Sequence, residues 1–184
     1  MINFGHSWSA ERLEAEPMIL PARRYVYPRA VPGEEAAMER GAVRLMVRPR
    51  VGGEFLAVCA RGFADKAALT GVFPAPDADW MCVAAGGYVY MVNTVRPEEC
   101  WMVELRPVME IHAAVEDGLL LLAGTQRMAA WGAEGERWLS PRLSDEGVRI
   151  VEVERGVARV VVWRMRTDCE EEIRVRLADG CSAL

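Results

Sequence analysis

The residues of this chain that could do chemistry are mainly carboxylates in polar segments that precede predicted strands. They are Asp77 and Asp79, Glu98 and Glu99, Asp145 and Glu146, and Asp168 with Glu170, Glu171 and Glu172. Two carboxyls beside aromatic side chains can hydrolyse a glycosidic bond, one as general acid and the other as base or nucleophile. Acidic residues are also common in turns and at solvated sheet edges, and we favour that interpretation here. The sequence assigns no catalytic residue, so the catalytic residues are unknown.

The polar connector between Ser140 and Gly147 is the better candidate for a binding surface. Arg142 can make bidentate contacts to a carboxylate or a phosphate. With its neighbours it defines a predicted ligand-binding set, which is Trp138, Arg142, Asp145 and Glu146. The favoured alternative is that Arg142 pairs internally with Asp145 or Glu146.

Histidine and cysteine offer little for a metal or a nucleophile. His6 and His112 are the only histidines, and the five cysteines include no C-x-x-C spacing. A zinc site recruits several such ligands at close spacing, so we predict no metal. Cys59 and Cys82 lie in apolar runs and are predicted core thiols. Because no nucleotide-binding or serine-nucleophile motif is present, we predict no cofactor.

Charge and hydropathy restrict the partners. The formal net charge of −5 argues against binding a nucleic-acid backbone. No apolar run reaches the length of a membrane span, and the first residues do not resemble a signal peptide. We therefore expect a cytoplasmic protein with neither a nucleic-acid nor a membrane partner.

The apolar pattern has the period of strands. In the central stretch, residues 107–140, Met109 to Glu116 alternate, Asp117-Gly118 supplies a hairpin turn, and three further strands follow, which is a four-stranded antiparallel meander. Similar hairpins are predicted on both sides of it, with strands that include Trp80–Ala85, Tyr88–Asn93 and Val148–Glu154. Residues 62–79 are predicted to form a long loop with a helical turn at Asp65–Leu69. No long helical period occurs, so the predicted class is all-β.

The N-terminal residues 1–41 are rich in proline and lack strand periodicity. We predict an arm with short helices at Ser9–Glu16 and Glu34–Arg40, and a single all-β domain over residues 42–184. The favoured role of the arm is to cover an open edge or core end. In the alternative, Trp8, Tyr25 and Tyr27 line a ligand cleft.

Hairpin glycines recur at a regular interval. Gly53, Gly87, Gly118 and Gly156 lie 34, 31 and 38 residues apart, each between two predicted strands. This interval favours an antiparallel meander of hairpin repeats, arranged as a small propeller-like fold of about four blade-like units. A two-sheet β-sandwich is the alternative.

One segment carries a resemblance. The run from Trp138 to Gly147 has the pattern W-x-S-x-R-L-S-x-x-G before a predicted hairpin, and a Gly86-Gly87-Tyr88 turn precedes it. The chain resembles a group of small, uncharacterised, mainly bacterial β-proteins over most of residues 24–180. The resemblance implies no activity and assigns no catalytic residue.

These observations favour a non-enzymatic β-domain that binds a protein partner or associates with itself. The motivation is the lack of recognisable catalytic motifs together with repeated strands and six tryptophans. The alternative is a carboxylate-dependent hydrolase or carbohydrate-active protein that uses the loop Asp and Glu residues.

Overall fold

A computed structural model describes residues 4–28, 37–63 and 68–183. Over these residues the chain forms sixteen strands and one turn of 3-10 helix at Ala37–Arg40, arranged in four four-stranded sheets. The predicted all-β class with about four blade-like units is therefore confirmed. Residues 65–67 of the predicted helical turn at Asp65–Leu69 and residues 34–36 of the predicted helix at Glu34–Arg40 lie outside the described residues.

The first two sheets come from the N-terminal half of the chain. Sheet A has the order β1-β3-β4-β2. Its strands are β1 (Trp8–Leu13), β2 (Arg24–Tyr27), β3 (Ala42–Pro49) and β4 (Phe55–Ala60). Sheet B has the order β5-β6-β7-β8. Its strands are β5 (Thr70–Pro74), β6 (Trp80–Ala85), β7 (Tyr88–Asn93) and β8 (Cys100–Met102).

The C-terminal half forms the other two sheets. Sheet C has the order β12-β11-β10-β9. Its strands are β9 (Val108–Ala114), β10 (Leu119–Gly124), β11 (Met128–Gly132) and β12 (Gly135–Leu139). Sheet D has the order β13-β14-β15-β16. Its strands are β13 (Val148–Glu154), β14 (Val157–Arg164), β15 (Cys169–Arg176) and β16 (Ser182–Ala183).

Two predictions about local structure are wrong. The helix expected at Ser9–Glu16 is β1, which pairs with β3 in the register Trp8↔Pro49 to Leu13↔Arg44. The loop expected at residues 62–79 contains β5, which pairs with β6. In both places the local sequence is short and only weakly periodic, so the partner strand and not the intrinsic propensity decides the conformation.

The chain forms two compact units. One contains sheets A and B, and the other contains sheets C and D. The predicted arm at residues 1–41 supplies two strands of sheet A, and the predicted domain at residues 42–184 spans both units.

Each unit has one apolar core shared by its two sheets. In the first unit the core residues alternate along the strands, as in Val43, Leu45 and Val47 of β3. In the second unit sheets C and D pack in the same way, with Leu121 and Val160 among the core residues. Two sheets on a common core are the packing of the sandwich alternative.

The pairing of β2 distinguishes it from the other strands. It runs parallel to β4, whereas the other strand pairs of the described residues are antiparallel. β2 is an end strand of sheet A, and β8 is an end strand of sheet B. Each of these two strands therefore has one edge that no strand of the described residues pairs with.

Candidate functional site

A groove lies along the end strands β2 and β8 of the first unit. It encloses about 650 Å³ and is lined by β2, by β8 with the loop before it, and by one residue of β7. We call it the edge groove. Its lining residues are Arg24, Tyr25, Val26, Tyr27, Pro28, Tyr90, Pro97, Glu98, Cys100 and Met102. Most of them are apolar or aromatic, as in sites that bury part of a ligand.

The backbone of β2 has one paired side and one open side. The carbonyl of Arg23 accepts a hydrogen bond from the Leu56 N–H at 3.0 Å. Successive residues of a strand direct their N–H and C=O groups to opposite sides, so Tyr25 and Tyr27 pair with β4. Arg24 and Val26 therefore present their backbone groups to the other side. Within the described residues, no strand pairs with that side.

Tyrosine hydroxyls join sheets A and B at the groove. The Tyr27 hydroxyl donates to the Pro97 carbonyl at 2.6 Å, and the Tyr90 hydroxyl donates to the Ala60 carbonyl at 2.9 Å. Burial raises the pKa of both tyrosines well above the ordinary value, so both hydroxyls stay protonated and keep donating. The walls are thus fixed by buried hydrogen bonds and are largely preformed.

Aromatic contacts add to this rigidity. The rings of Tyr25 and Tyr27 are parallel, with centroids 6.4 Å apart. Tyr25 also meets the ring of Phe55 edge-on at 5.5 Å. Because Phe55 belongs to the core of the first unit, β2 is anchored to that core through its side chains as well as its backbone.

Two charged groups lie at the groove. The Glu98 carboxylate accepts a hydrogen bond from the Tyr25 hydroxyl at 2.9 Å. Its own backbone N–H and then the Tyr25 hydroxyl lower the pKa of Glu98, so it is ionised at neutral pH. Arg24 forms an ion pair with Glu16 at 2.7 Å. The groove therefore offers a carboxylate and an arginine that already has a partner.

Cys100 is the one thiol among the lining residues. Burial raises its pKa to about 12, so at neutral pH it is almost entirely the uncharged thiol. A thiol in that state is a poor nucleophile. Cys100 therefore contributes apolar surface to the groove.

The four residues of the predicted ligand-binding set lie in the second unit, but they have different surroundings. Trp138 is buried, and its indole N–H donates to the Leu177 carbonyl at 2.6 Å. Arg142 pairs with Asp145 at 3.0 Å, which confirms the internal pair that we favoured. Asp145 lines one pocket of about 550 Å³, and Glu146 lines another of about 310 Å³. Neither of these two pockets is lined by Trp138 or Arg142.

Four of the other loop carboxylates, Glu99, Glu170, Glu171 and Glu172, form ion pairs with arginines. Glu171 pairs with Arg164 at 2.6 Å beside Asp145. A third pocket, of about 490 Å³, contains Asp117 and Glu134, which were not among the candidate carboxylates. Within the described residues, no group of three or more His, Cys, Asp or Glu side chains could hold a metal ion.

The edge groove agrees in part with the cleft that we considered as an alternative. Tyr25 and Tyr27 line it, whereas Trp8 donates its indole N–H to the Trp80 carbonyl and lies elsewhere. Glu98 was a candidate carboxylate, but its place beside Tyr25 and Tyr27 was not predicted, and Cys100 was not assigned to a site. Both are about 70 residues away from β2 along the chain, and only the tertiary structure brings them there.

Neither the protein-family models nor the curated proteins match this chain. The resemblance of Trp138–Gly147 to a group of small β-proteins stays a prediction. No helix of the described residues is long and apolar enough to cross a lipid bilayer.

Proposed function

We propose that this protein is a non-enzymatic binding module that takes an extended segment of a protein partner into the edge groove. The observation that carries the proposal is the open side of β2. The backbone groups of Arg24 and Val26 face away from β4, and both residues line the apolar edge groove. Adding a strand to such an edge satisfies backbone donors and acceptors in pairs. Flanking pockets then select the side chains of the bound segment.

The groove is suited to association more than to chemistry. Its tyrosine hydroxyls are engaged with backbone carbonyls or with Glu98, and its thiol is uncharged. Because the groove walls are preformed, binding has a smaller entropic cost of ordering the site. A few backbone hydrogen bonds and a few buried side chains support a Kd of about 1–100 μM, typical of a small transient interface.

The decisive variant is Val26→Pro, which removes one open N–H and leaves the β2–β4 ladder intact. Proline is tolerated on an open strand edge because the lost donor has no partner there. Binding is measured by fluorescence polarisation with labelled eight-residue peptides of alternating apolar and polar residues. We expect some of them to bind, and Val26→Pro to weaken that binding at least tenfold.

Two matched variants complete this experiment. Val26→Ala keeps the N–H and should weaken peptide binding much less than Val26→Pro. Tyr25→Pro removes an N–H that faces β4 and should destabilise the fold itself. Equal binding by Val26→Pro and the parent protein, or no peptide binding at all, would contradict the proposed function.

A further inference from the structure

Three consecutive apolar side chains lie exposed in the connection between β1 and β2. Met18, Ile19 and Leu20 are 104%, 89% and 52% exposed, and Pro17 and Pro21 bracket them. No described residue hydrogen-bonds to the backbone of these three residues. Leu20, as the residue before a proline, is restricted to extended conformations. We call residues 16–21 the apolar segment.

Exposure of this kind needs an explanation. Single exposed apolar residues are normal on a protein surface, but a contiguous group marks an interaction site. The three side chains are consecutive in the chain and largely exposed, so they offer one contiguous apolar surface to a partner. The segment therefore has enough apolar surface to act as the anchor of an interface.

The apolar segment has the properties that the edge groove requires. In a single copy the chain bends at Met18 and Ile19. The backbone N–H and C=O groups of Met18, Ile19 and Leu20 have no partner among the described residues, so they are available to pair with an open strand edge when the segment straightens against it. Its apolar side chains match the walls formed by Val26, Tyr27 and Met102. Its own copy does not use it in this way, since none of residues 16–21 lines that copy's groove.

Charge supports the same match. The segment begins at Glu16, with Glu14 two residues earlier, and the groove begins at Arg24, which follows Arg23. Within one copy Glu16 already pairs with Arg24 at 2.7 Å. A second copy offers the same acid and the same base, so the pair can be exchanged between copies with no unpaired charge left behind.

We propose that the partner in the edge groove is a second copy of this chain. The apolar segment of one copy lies along β2 of the other, and the reverse contact is made at the same time. Because each copy carries both the segment and the groove, the contact is self-complementary and closes as a two-fold dimer. This inference rests on the proposed function, since it requires that the groove accept an extended segment.

The test measures the oligomeric state of the full chain by size exclusion with light scattering at concentrations up to roughly 100 μM. We expect a dimer that the triple variant Met18→Ser, Ile19→Ser, Leu20→Ser and the variant Val26→Pro each weaken at least tenfold. The matched control replaces three exposed apolar residues elsewhere, Val51→Ser, Met109→Ser and Val115→Ser, which are 60%, 53% and 47% exposed. This control should leave the dimer unchanged.

A synthetic peptide of residues 14–23 separates this inference from the proposed function. It should bind the triple-serine variant, whose groove is free, and should not bind when Val26→Pro is added. The proposed dimer interface would be contradicted if the parent protein were monomeric. It would also be contradicted if the triple-serine variant and Val26→Pro both dimerised as strongly as the parent protein. The proposed function would still stand in that case if the alternating peptides bind the groove, and would fail if they do not.

Discussion

Gly180 illustrates how a single residue positions a large side chain. Its φ angle is +71°, in the left-handed region, and a Cβ there would lie 2.5 Å from the Trp138 ring. Trp138 in turn donates to the Leu177 carbonyl and packs in the core of the second unit. Glycine is therefore required both by the backbone conformation and by the space that the indole ring occupies.

We predict that Gly180→Ala costs more stability than Gly118→Ala. Gly118 has a similar φ of +64°, but a Cβ added there would meet nothing within 4 Å. The left-handed conformation alone should cost about 1 kcal/mol at Gly118, and the clash with Trp138 should bring the loss at Gly180 to about 3 kcal/mol. Urea unfolding measures both values, and equal losses would contradict the role of Gly180 in positioning Trp138.

The thiols give a second test at this scale. With a pKa of about 12, only about one Cys100 side chain in 10,000 is ionised at pH 8. Cys169, in contrast, is exposed. We predict that a variant retaining only Cys169 reacts with an aromatic disulfide reagent at least 100 times faster at pH 8 than one retaining only Cys100. Comparable rates would show that the groove does not bury the Cys100 thiol.

Among the elements, sheet D has a different construction from its neighbours. Its middle strand β14 alternates between buried and partly exposed residues, whereas β10 of sheet C is buried along its whole length. On the exposed face Arg159 of β14 contacts Glu152 of β13 at 2.7 Å and Glu172 of β15 at 3.0 Å. Hydrogen bonds from Arg159 to these two carboxylates raise its pKa, and one guanidinium joins three strands.

We predict a small, salt-sensitive effect of Arg159→Gln. Exposed ion pairs contribute little, so the unfolding equilibrium should change by less than about fivefold at low salt. The difference should shrink in 1 M salt, where the Debye length is about 3 Å. Arg149→Gln is the control, because its contact with Glu170 is longer, at 3.7 Å. A large effect that persists in high salt would point to a packing role for Arg159.

The interval between the hairpin glycines predicted the number of sheets correctly, although the four glycines do not occupy equivalent positions in those sheets. Gly53 and Gly87 follow strands that are central in sheets A and B. Gly118 and Gly156 follow β9 and β13, which are end strands of sheets C and D. Four sheets were therefore predicted correctly from turns that lie at different positions within their sheets.

For the whole molecule, buried ionisable groups determine how stability depends on pH above neutrality. Burial raises the pKa of Cys59, Cys82, Tyr27 and Tyr90 above their ordinary values, and that of Cys100 to about 12. Each group is neutral in the folded chain at a pH where the unfolded chain has already ionised it. The unfolded state then binds fewer protons, so stability is lost as pH rises.

We predict that the free energy of unfolding falls steadily above about pH 8.5, where free thiols begin to ionise. Cys82→Ala removes one such group and should make the fall shallower by up to about 1.4 kcal/mol per pH unit between pH 9 and 11. Cys169→Ser, at an exposed position, should leave the slope unchanged. Urea unfolding from pH 7 to 11 measures the slopes, and identical slopes would contradict the burial of Cys82.

Strands with strong local signals were predictable from the sequence alone. β6, β7 and β13 have the predicted bounds. Each is an unbroken or alternating apolar run that ends at turn residues, and both of these signals are local in the sequence. The all-β class and the number of sheets follow from the same local patterns. The internal Arg142–Asp145 pair is similarly local, since its members are three residues apart.

Only the tertiary structure decided where the open edges lie. β2 became an end strand because Arg24–Tyr27 pairs with Leu56–Cys59, about 30 residues further along the chain. β8 contributes Cys100 and Met102 to the same groove from more than 70 residues away. Pairing over such distances depends on which apolar faces can close a common core, and that is a property of the assembled sheets that no short stretch of sequence contains.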